Sequence, residues 1–221
     1  MNGPDSENSP PRPTGDSSAY AIEVRDDQER STFDCDRLCD IASDVLRHEG
    51  VRSAEISVAL IDGNTMRRLN REHLGHDYDT DVLSFLLDCK VDASETVADG
   101  DGLPRGAGKT IDGEILISTD VADDTASRLG STVEDEVTLY LVHGLLHLAG
   151  YDDLTPTEMT LMRQRERFHL NRWKLDPVDL DSDGDSHRGE TIDDEIPNGD
   201  GKEMIDVLLP NGDCRTGGAG R

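Results

Sequence analysis

The sequence predicts an α+β fold: a small mixed four-stranded sheet flanked by helices, forming one domain with disordered ends. Three observations predict it. Between residues 19 and 174, strand-like alternation and helix-like spacing of apolar residues interchange along the chain. The 221 residues are 34% hydrophobic and 32% charged, enough for one core and hardly for two. The segment from Val133 to Ala149 is apolar nearly all round, as expected of a helix buried against a sheet.

Residues 1–18 are rich in Pro, Ser, Asp and Gly without periodicity and read as a loose arm. They contain no apolar run of the kind a signal peptide carries. Tyr20 to Val24 alternates as a strand does. Asp34 to His48 then sets Cys35, Leu38, Ile41, Ala42, Val45 and Leu46 at helical spacing. Glu55 to Ile61 is the second strand, and Asn64 is expected to cap a helix bearing Met66, Leu69 and Asn70. Val82 to Leu87 is the third strand and Glu114 to Ser118 the fourth. Between them, Asp92 to Asp112 is Gly-, Asp- and Ala-rich and reads as a long loop. A short helix through Val121 follows, and another begins near Val133, where Glu134, Asp135 and Glu136 complement its N-terminal dipole. Thr155-Pro156-Thr157-Glu158 forms a capping-box start for a last helix running to about Trp173. Residues 175–221 read as an acidic disordered tail, so deleting 176–221 is expected to leave thermal stability nearly unchanged; the short Ile205 to Leu209 run is its one apolar stretch.

The chemistry concentrates in His143-Gly144-Leu145-Leu146-His147-Leu148-Ala149-Gly150-Tyr151-Asp152-Asp153. His143 and His147 lie four apart, so on a helix their rings project from one face a turn apart and can share a cation. Gly150 suits the turn that ends the helix, after which the carboxylate of Asp152 or Asp153 can swing back toward the same ion. Three protein ligands leave a position for water, as catalytic metal sites do. Two histidines at helical spacing also occur by chance, but imidazoles in so apolar a helix need partners, and a metal is one. A metalloprotease helix carries Glu after its first His; Gly144 stands there instead.

These residues resemble the signature of the YbeY family, metal-dependent endoribonucleases of ribosomal RNA maturation, whose pattern is His-Gly-x-Leu-His-Leu-x-Gly-Tyr-Asp-His. The chain matches all but the last position. Leu69-Asn70-Arg71 followed by Thr80-Asp81-Val82-Leu83-Ser84-Phe85 resembles the family's central motif, and Gly113-Glu114-Ile115-Leu116-Ile117-Ser118 its Gly-Asp-Ile strand. The resemblance implies a single-strand-specific endoribonuclease maturing the 3′ end of small-subunit (16S) rRNA and serving ribosome quality control. It implies His143, His147 and Asp153 as metal ligands, with rRNA and the small ribosomal subunit as partners, no DNA, no membrane and a cytoplasmic location. Zn2+ is the expected ion, ahead of Mn2+ or Fe2+, although an Asp where the family has His adds negative charge and shifts preference toward harder ions. The family's Arg after the Leu-Asn pair falls at Leu74, which leaves Arg71, His73 and His76 as substitutes for phosphate stabilisation. Asp152 and Glu114 are candidates for the general base, and attack by an RNA 2′-hydroxyl stays open. Two other readings compete: a non-catalytic ribosome-assembly factor with a structural metal, which the Leu74 departure favours, and a hydrolase of a small ester or amide.

The formal net charge of −26 does not itself predict an RNA partner, because phosphate contacts need a local positive surface. The ends hold only part of it: residues 176–221 carry 13 acidic and 4 basic side chains, and residues 1–18 carry 3 and 1. A basic cleft within an acidic protein and adaptation to saline surroundings both fit. Arg163, Arg165, Arg167, Arg172 and Lys174 on the last helix are either a phosphate-meeting set or an ordinary solvated surface. Cys35, Cys39, Cys89 and Cys214 include no Cys-x-x-Cys pair, and reduced thiols are the expected state. No apolar run reaches membrane-spanning length. Gly108-Lys109-Thr110 lacks the earlier glycine of a phosphate-binding loop, since Leu103 stands there. Asp179, Asp181, Asp183, Gly184 and Glu190 have calcium-loop spacing, but Pro177 and Pro197 spoil the flanking helices.

Overall fold

The computed structural model describes residues 19–92 and 104–175, together with Val207–Leu208 and Arg215–Thr216. Four strands make the central sheet: β1 (Tyr20–Asp26), β2 (Ser53–Ile61), β3 (Val82–Val91) and β4 (Lys109–Ser118). Their order is β1-β2-β4-β3, with β1, β2 and β4 parallel and β3 antiparallel to β4. The fold is therefore α+β with a mixed sheet. Two-residue strands β5 (Val207–Leu208) and β6 (Arg215–Thr216) pair in parallel with β3 at Ser84–Phe85 and at Lys90–Val91. The apolar run expected at residues 205–209 thus contributes its middle to β3's outer edge. The calcium-type spacing at Asp179–Glu190 lies outside the described residues.

The helices are α1 (Cys35–His48), α2 (Gly63–Leu74), α3 (Thr119–Leu129), α4 (Val133–Ala149) and α5 (Pro156–Arg172). Strand alternation divides the apolar residues between the sheet's two faces. Ile56, Val58, Leu60, Val82, Leu86, Ile111, Ile115 and Ile117 join α1 and α4 in the main core. Ala59, Ile61, Leu83 and Leu116 form a smaller cluster with Met66 of α2, against which Leu69, Leu74 and Phe85 pack. α4 lies on the main-core face and touches β3, β4, α1, α3 and α5. That position explains why 13 of its 17 residues are buried and why its sequence is apolar all round.

Four local expectations need correction. The loop expected over 92–112 is shorter at its C-terminal end, because β4 starts at Lys109, and β3 continues past the expected Leu87 to Val91; Val91 and Lys109 pair, and Ser53 of β2 meets Thr110. The helix expected through Val121 continues to Leu129, with Gly130 in the left-handed conformation closing it. Asp62, not Asn64, caps α2: its side chain accepts from the Thr65 amide at 3.0 Å. The cysteines are not all reduced, since Cys89 is disulfide-bonded, while Cys35 and Cys39 are free. Spacing in sequence carries no information about which thiols meet across a sheet edge. Among the described residues, no helix is long and apolar enough to cross a membrane.

Candidate metal centre

α4 begins with Thr132, whose hydroxyl accepts from the Asp135 amide at 3.2 Å, and ends at Gly150 with φ 108°, a conformation costly to a side chain. The exit turn is clamped from outside. Lys109 Nζ donates to the Ala149 carbonyl at 2.7 Å, and an Arg105 guanidinium nitrogen donates to the Gly150 carbonyl at 3.3 Å. Both cations serve carbonyls left unpaired at the helix C-terminus, where positive charge is favoured. Lys109 is thereby committed to the helix end, which disposes of a nucleotide role for Gly108-Lys109-Thr110. Gly144 is needed for a different reason: a Cβ there would come within 2.8 Å of Ser84 Oγ and 3.2 Å of the Ile115 side chain.

His143 and His147 face one another at the C-terminal end of α4, with Nε2 atoms 2.8 Å apart and both rings buried. Each ring is held through its other nitrogen. His143 Nδ1 meets Glu166 Oε1 at 2.5 Å, and His147 Nδ1 donates to the Tyr151 carbonyl at 3.0 Å. With both Nδ1 atoms engaged, the Nε2 lone pairs point at a common place. Either one proton is shared between them or a cation takes its position. Burial, first, and the neighbouring His143 push the His147 pKa down to about 3, so its ring is neutral and ready to ligate.

Asp153 supplies the third donor. Its Oδ2 is 3.8 Å from His143 Nε2 and its Oδ1 is 3.9 Å from His147 Nε2. Ligand atoms of the three residues all lie within 4.8 Å of one another. Together with the 2.8 Å between the two Nε2 atoms, the 3.8 and 3.9 Å separations bracket the roughly 3.3 Å edge of a tetrahedron with bonds of about 2.0–2.1 Å. Oδ1 of Asp153 is buried without a hydrogen-bond partner, and burial pushes this carboxyl's pKa up. An orphaned buried carboxylate oxygen beside two inward-facing lone pairs is a donor set that fits a divalent cation. Asp152 is occupied otherwise: its Oδ1 accepts from the Asp153 amide at 2.7 Å and the Leu154 amide at 3.2 Å, shaping the turn that delivers Asp153.

The structure brings His143, His147 and Asp153 together and leaves the other expected site residues apart. Glu114 alternates with Gly113 and Ile115, which face α4, so its side chain lies on the opposite face of the sheet. It cannot serve as a base at the histidines from there. Arg71 is exposed on α2 and sits 3.7 Å from Asp77. His73 stacks edge-on with Phe85, and His76 stacks on Tyr78 while bonding to its hydroxyl at 2.9 Å. Leu74 packs into the smaller apolar cluster instead of presenting a cation.

Several important groups escaped the sequence reading. Glu166 is almost fully buried, and its second oxygen accepts from Arg163 at 2.7 Å. Burial alone would raise its pKa, but the bonds and charges of His143 and Arg163 outweigh that and hold the carboxyl below its ordinary value. Glu49, wholly buried, accepts from Tyr151 Oη at 2.7 Å, from Arg165 at 2.6 and 3.0 Å and from His169 Nε2 at 2.7 Å. Those donors likewise overcome its burial and depress its pKa. Asp81, whose pKa burial raises, feels the charge of His143. The arginines of α5 are thus largely committed to carboxylates, with Arg172 on Asp44 at 2.8 and 3.1 Å. Glu158 turns to Arg105 at 3.0 Å in place of closing the capping box, although Thr155 caps α5 as expected. The available signal for Glu166 was its spacing of three from Arg163.

Comparison with known proteins gives the family. The family model described as endoribonuclease YbeY matches residues 22–174. An endoribonuclease YbeY of Salinibacter ruber is 37% identical over 151 residues, covering 68% of this chain and 90% of that protein. One from Chlorobium phaeovibrioides is 37% identical over 126 residues, covering 57% and 73%. A Thermotoga maritima protein solved in solution aligns at a TM-score of 0.46 and 22% identity, over 72% of this chain and 97% of that one. With the family model matching residues 22–174, which take in most of β1, all of β2, β3 and β4 and all five helices, the chain belongs to the endoribonuclease YbeY family.

Proposed function

We propose that residues 19–174 form a metal-dependent hydrolase that cleaves single-stranded RNA endonucleolytically, acting at the 3′ end of small-subunit (16S) rRNA and in ribosome quality control. The observation that carries the reading is the convergence of His143 Nε2, His147 Nε2 and the unpartnered Asp153 carboxylate in a chain of this family. The catalytic assignment rests on His143, His147 and Asp153, with Zn2+ as the ion. A divalent ion held there supplies Lewis acidity to a phosphoryl oxygen or to water. The protein's part is to present two imidazole nitrogens and one carboxylate oxygen, and to keep them buried and fixed. Arg71, exposed and only loosely held by Asp77, is the proposed phosphate contact. Small ribosomal subunits are the proposed partner and the cytoplasm the proposed compartment. Glu114 is not part of the proposal, given its sheet face.

The packing of Leu74 among apolar side chains favours a second reading, because no cation stands at that position to meet a phosphate. In it, the chain assists ribosome assembly and the metal is structural. Metal analysis of the purified protein, combined with cleavage of a defined precursor RNA, separates the two. The nuclease reading expects bound metal and cleavage in the wild type and loss of both in His147→Ala. Metal without cleavage, together with retained binding to ribosomal particles, would select the assembly role.

A further inference from the structure

Resting on the metal reading above, we infer that Glu166 is a positioning residue for the centre: its carboxylate, itself held by Arg163, fixes the tautomer and aim of His143. The two histidines are oriented unequally. His147 gives its Nδ1 proton to a neutral backbone carbonyl, whereas His143 meets a carboxylate at 2.5 Å. Glu166 is 1% exposed and His143 4%, so little water intervenes to weaken the pairing. Arg163 takes the other carboxylate oxygen at 2.7 Å, which prevents Glu166 from rotating away. A carboxylate behind an imidazole locks the ring and makes the opposite nitrogen a stronger donor to a metal. The consequence is that α5 contributes to the centre without supplying a ligand. Arg163, which sequence alone offers as a phosphate contact, is engaged by Glu166.

The test uses the full chain and the metal ions alone. Glu166→Gln keeps the shape but removes the charge, and should weaken Zn2+ binding by about 10- to 100-fold. The visible spectrum of the Co2+-substituted protein should change with it. Glu166→Asp should recover part of the loss, Arg163→Gln should show a smaller one, and Arg172→Gln, on the same helix but paired with Asp44, none. In EDTA-treated protein, nitrogen-15 shifts should show His143 protonated at Nδ1 in the wild type and a mixed tautomer in Glu166→Gln. Cleavage should lose kcat with KM nearly constant. Wild-type Zn2+ affinity and an unchanged Co2+ spectrum in Glu166→Gln, while His143→Ala abolishes binding, would overturn the inference. If the wild type itself takes up no Zn2+ or Co2+, the metal reading fails instead, and the tautomer measurement still decides whether Glu166 orients His143.

Discussion

Helices α4 and α5 are each 17 residues long and pack against one another, yet opposite forces seat them. α4 buries 13 residues, nine of them apolar or glycine; Glu136, Thr138 and the two histidines are the polar groups carried inward with them. α5 buries only Met162, Glu166, His169 and Leu170, so half of its buried set is ionisable. α4 is held by area removed from water, a force indifferent to direction. α5 is held by a few charged contacts that fail outside a narrow geometry. The lesson is a division of labour: the apolar helix carries the two candidate ligand histidines, and the charged helix holds one of them through Glu166.

The sharpest way to break this contrast is at the buried charges. Glu49→Ala would strand Arg165, His169 and Tyr151 Oη together, and should destabilise the fold by about 3–5 kcal/mol in urea unfolding. A loss under about 1 kcal/mol would mean the network relaxes and α5 is seated by other contacts. Gly144→Ala probes α4. An exposed helical glycine would gain stability from this change. Here the new methyl meets Ser84 and Ile115, and a net loss of roughly 1–3 kcal/mol is expected. A stabilised variant would show that α4 is less tightly packed than its burial implies.

At the ligands the contrast can be sharpened. Asp153→Ala should lower Zn2+ affinity steeply, and Asp152→Ala less, because Asp152 acts through the turn it shapes. Asp153→His should keep zinc bound and lower the pKa of its water, since a neutral nitrogen replaces a charged oxygen. The reverse order of the two alanine variants in a titration would reassign the third ligand.

The pH dependence of the metal-free chain follows from the same groups. His147 is depressed from 6.5 to about 3, so the unfolded chain binds its proton first and folding stability declines as pH falls below about 6.5. Glu49 and Glu166 are held below 4.5, so their contribution is intact above that value and is lost as pH falls through their folded pKa values. These three groups should lower urea midpoints from pH 8 toward pH 4, against an opposing gain from Asp81 and Asp153, whose carboxyls are raised by burial and take up protons more readily in the folded chain. Saturating Zn2+ should flatten the upper part of that curve. The smallest effect is expected at Arg71→Ala: stability within about 0.5 kcal/mol of wild type, with the slope of RNA affinity against salt reduced by about one. An unaltered salt slope would remove Arg71 from the phosphate path.

Most of the elements, and the pairing of His143 and His147 on one helix face, are legible in the sequence. Periodicity reports local burial, so α1, α4 and α5 and all four strands were legible within a few residues, and the four-residue spacing of His143 and His147 made a shared face unavoidable on a helix. Choosing Asp153 over Asp152 needed the resemblance, because adjacent carboxylates in a turn are equivalent until the turn is built. Only the tertiary structure decided the rest. Glu114 is a candidate base in sequence, and only the placement of α4 shows that its side chain lies on the opposite face of the sheet. Glu49 lies 116 residues from Arg165, and Glu166 lies 23 from His143, so no local pattern could pair them. Their neighbours in sequence say only that they are charged. Packing brings the partners together and excludes the water that would otherwise screen them, and that is what turns surface-like glutamates and arginines into the frame of a buried centre.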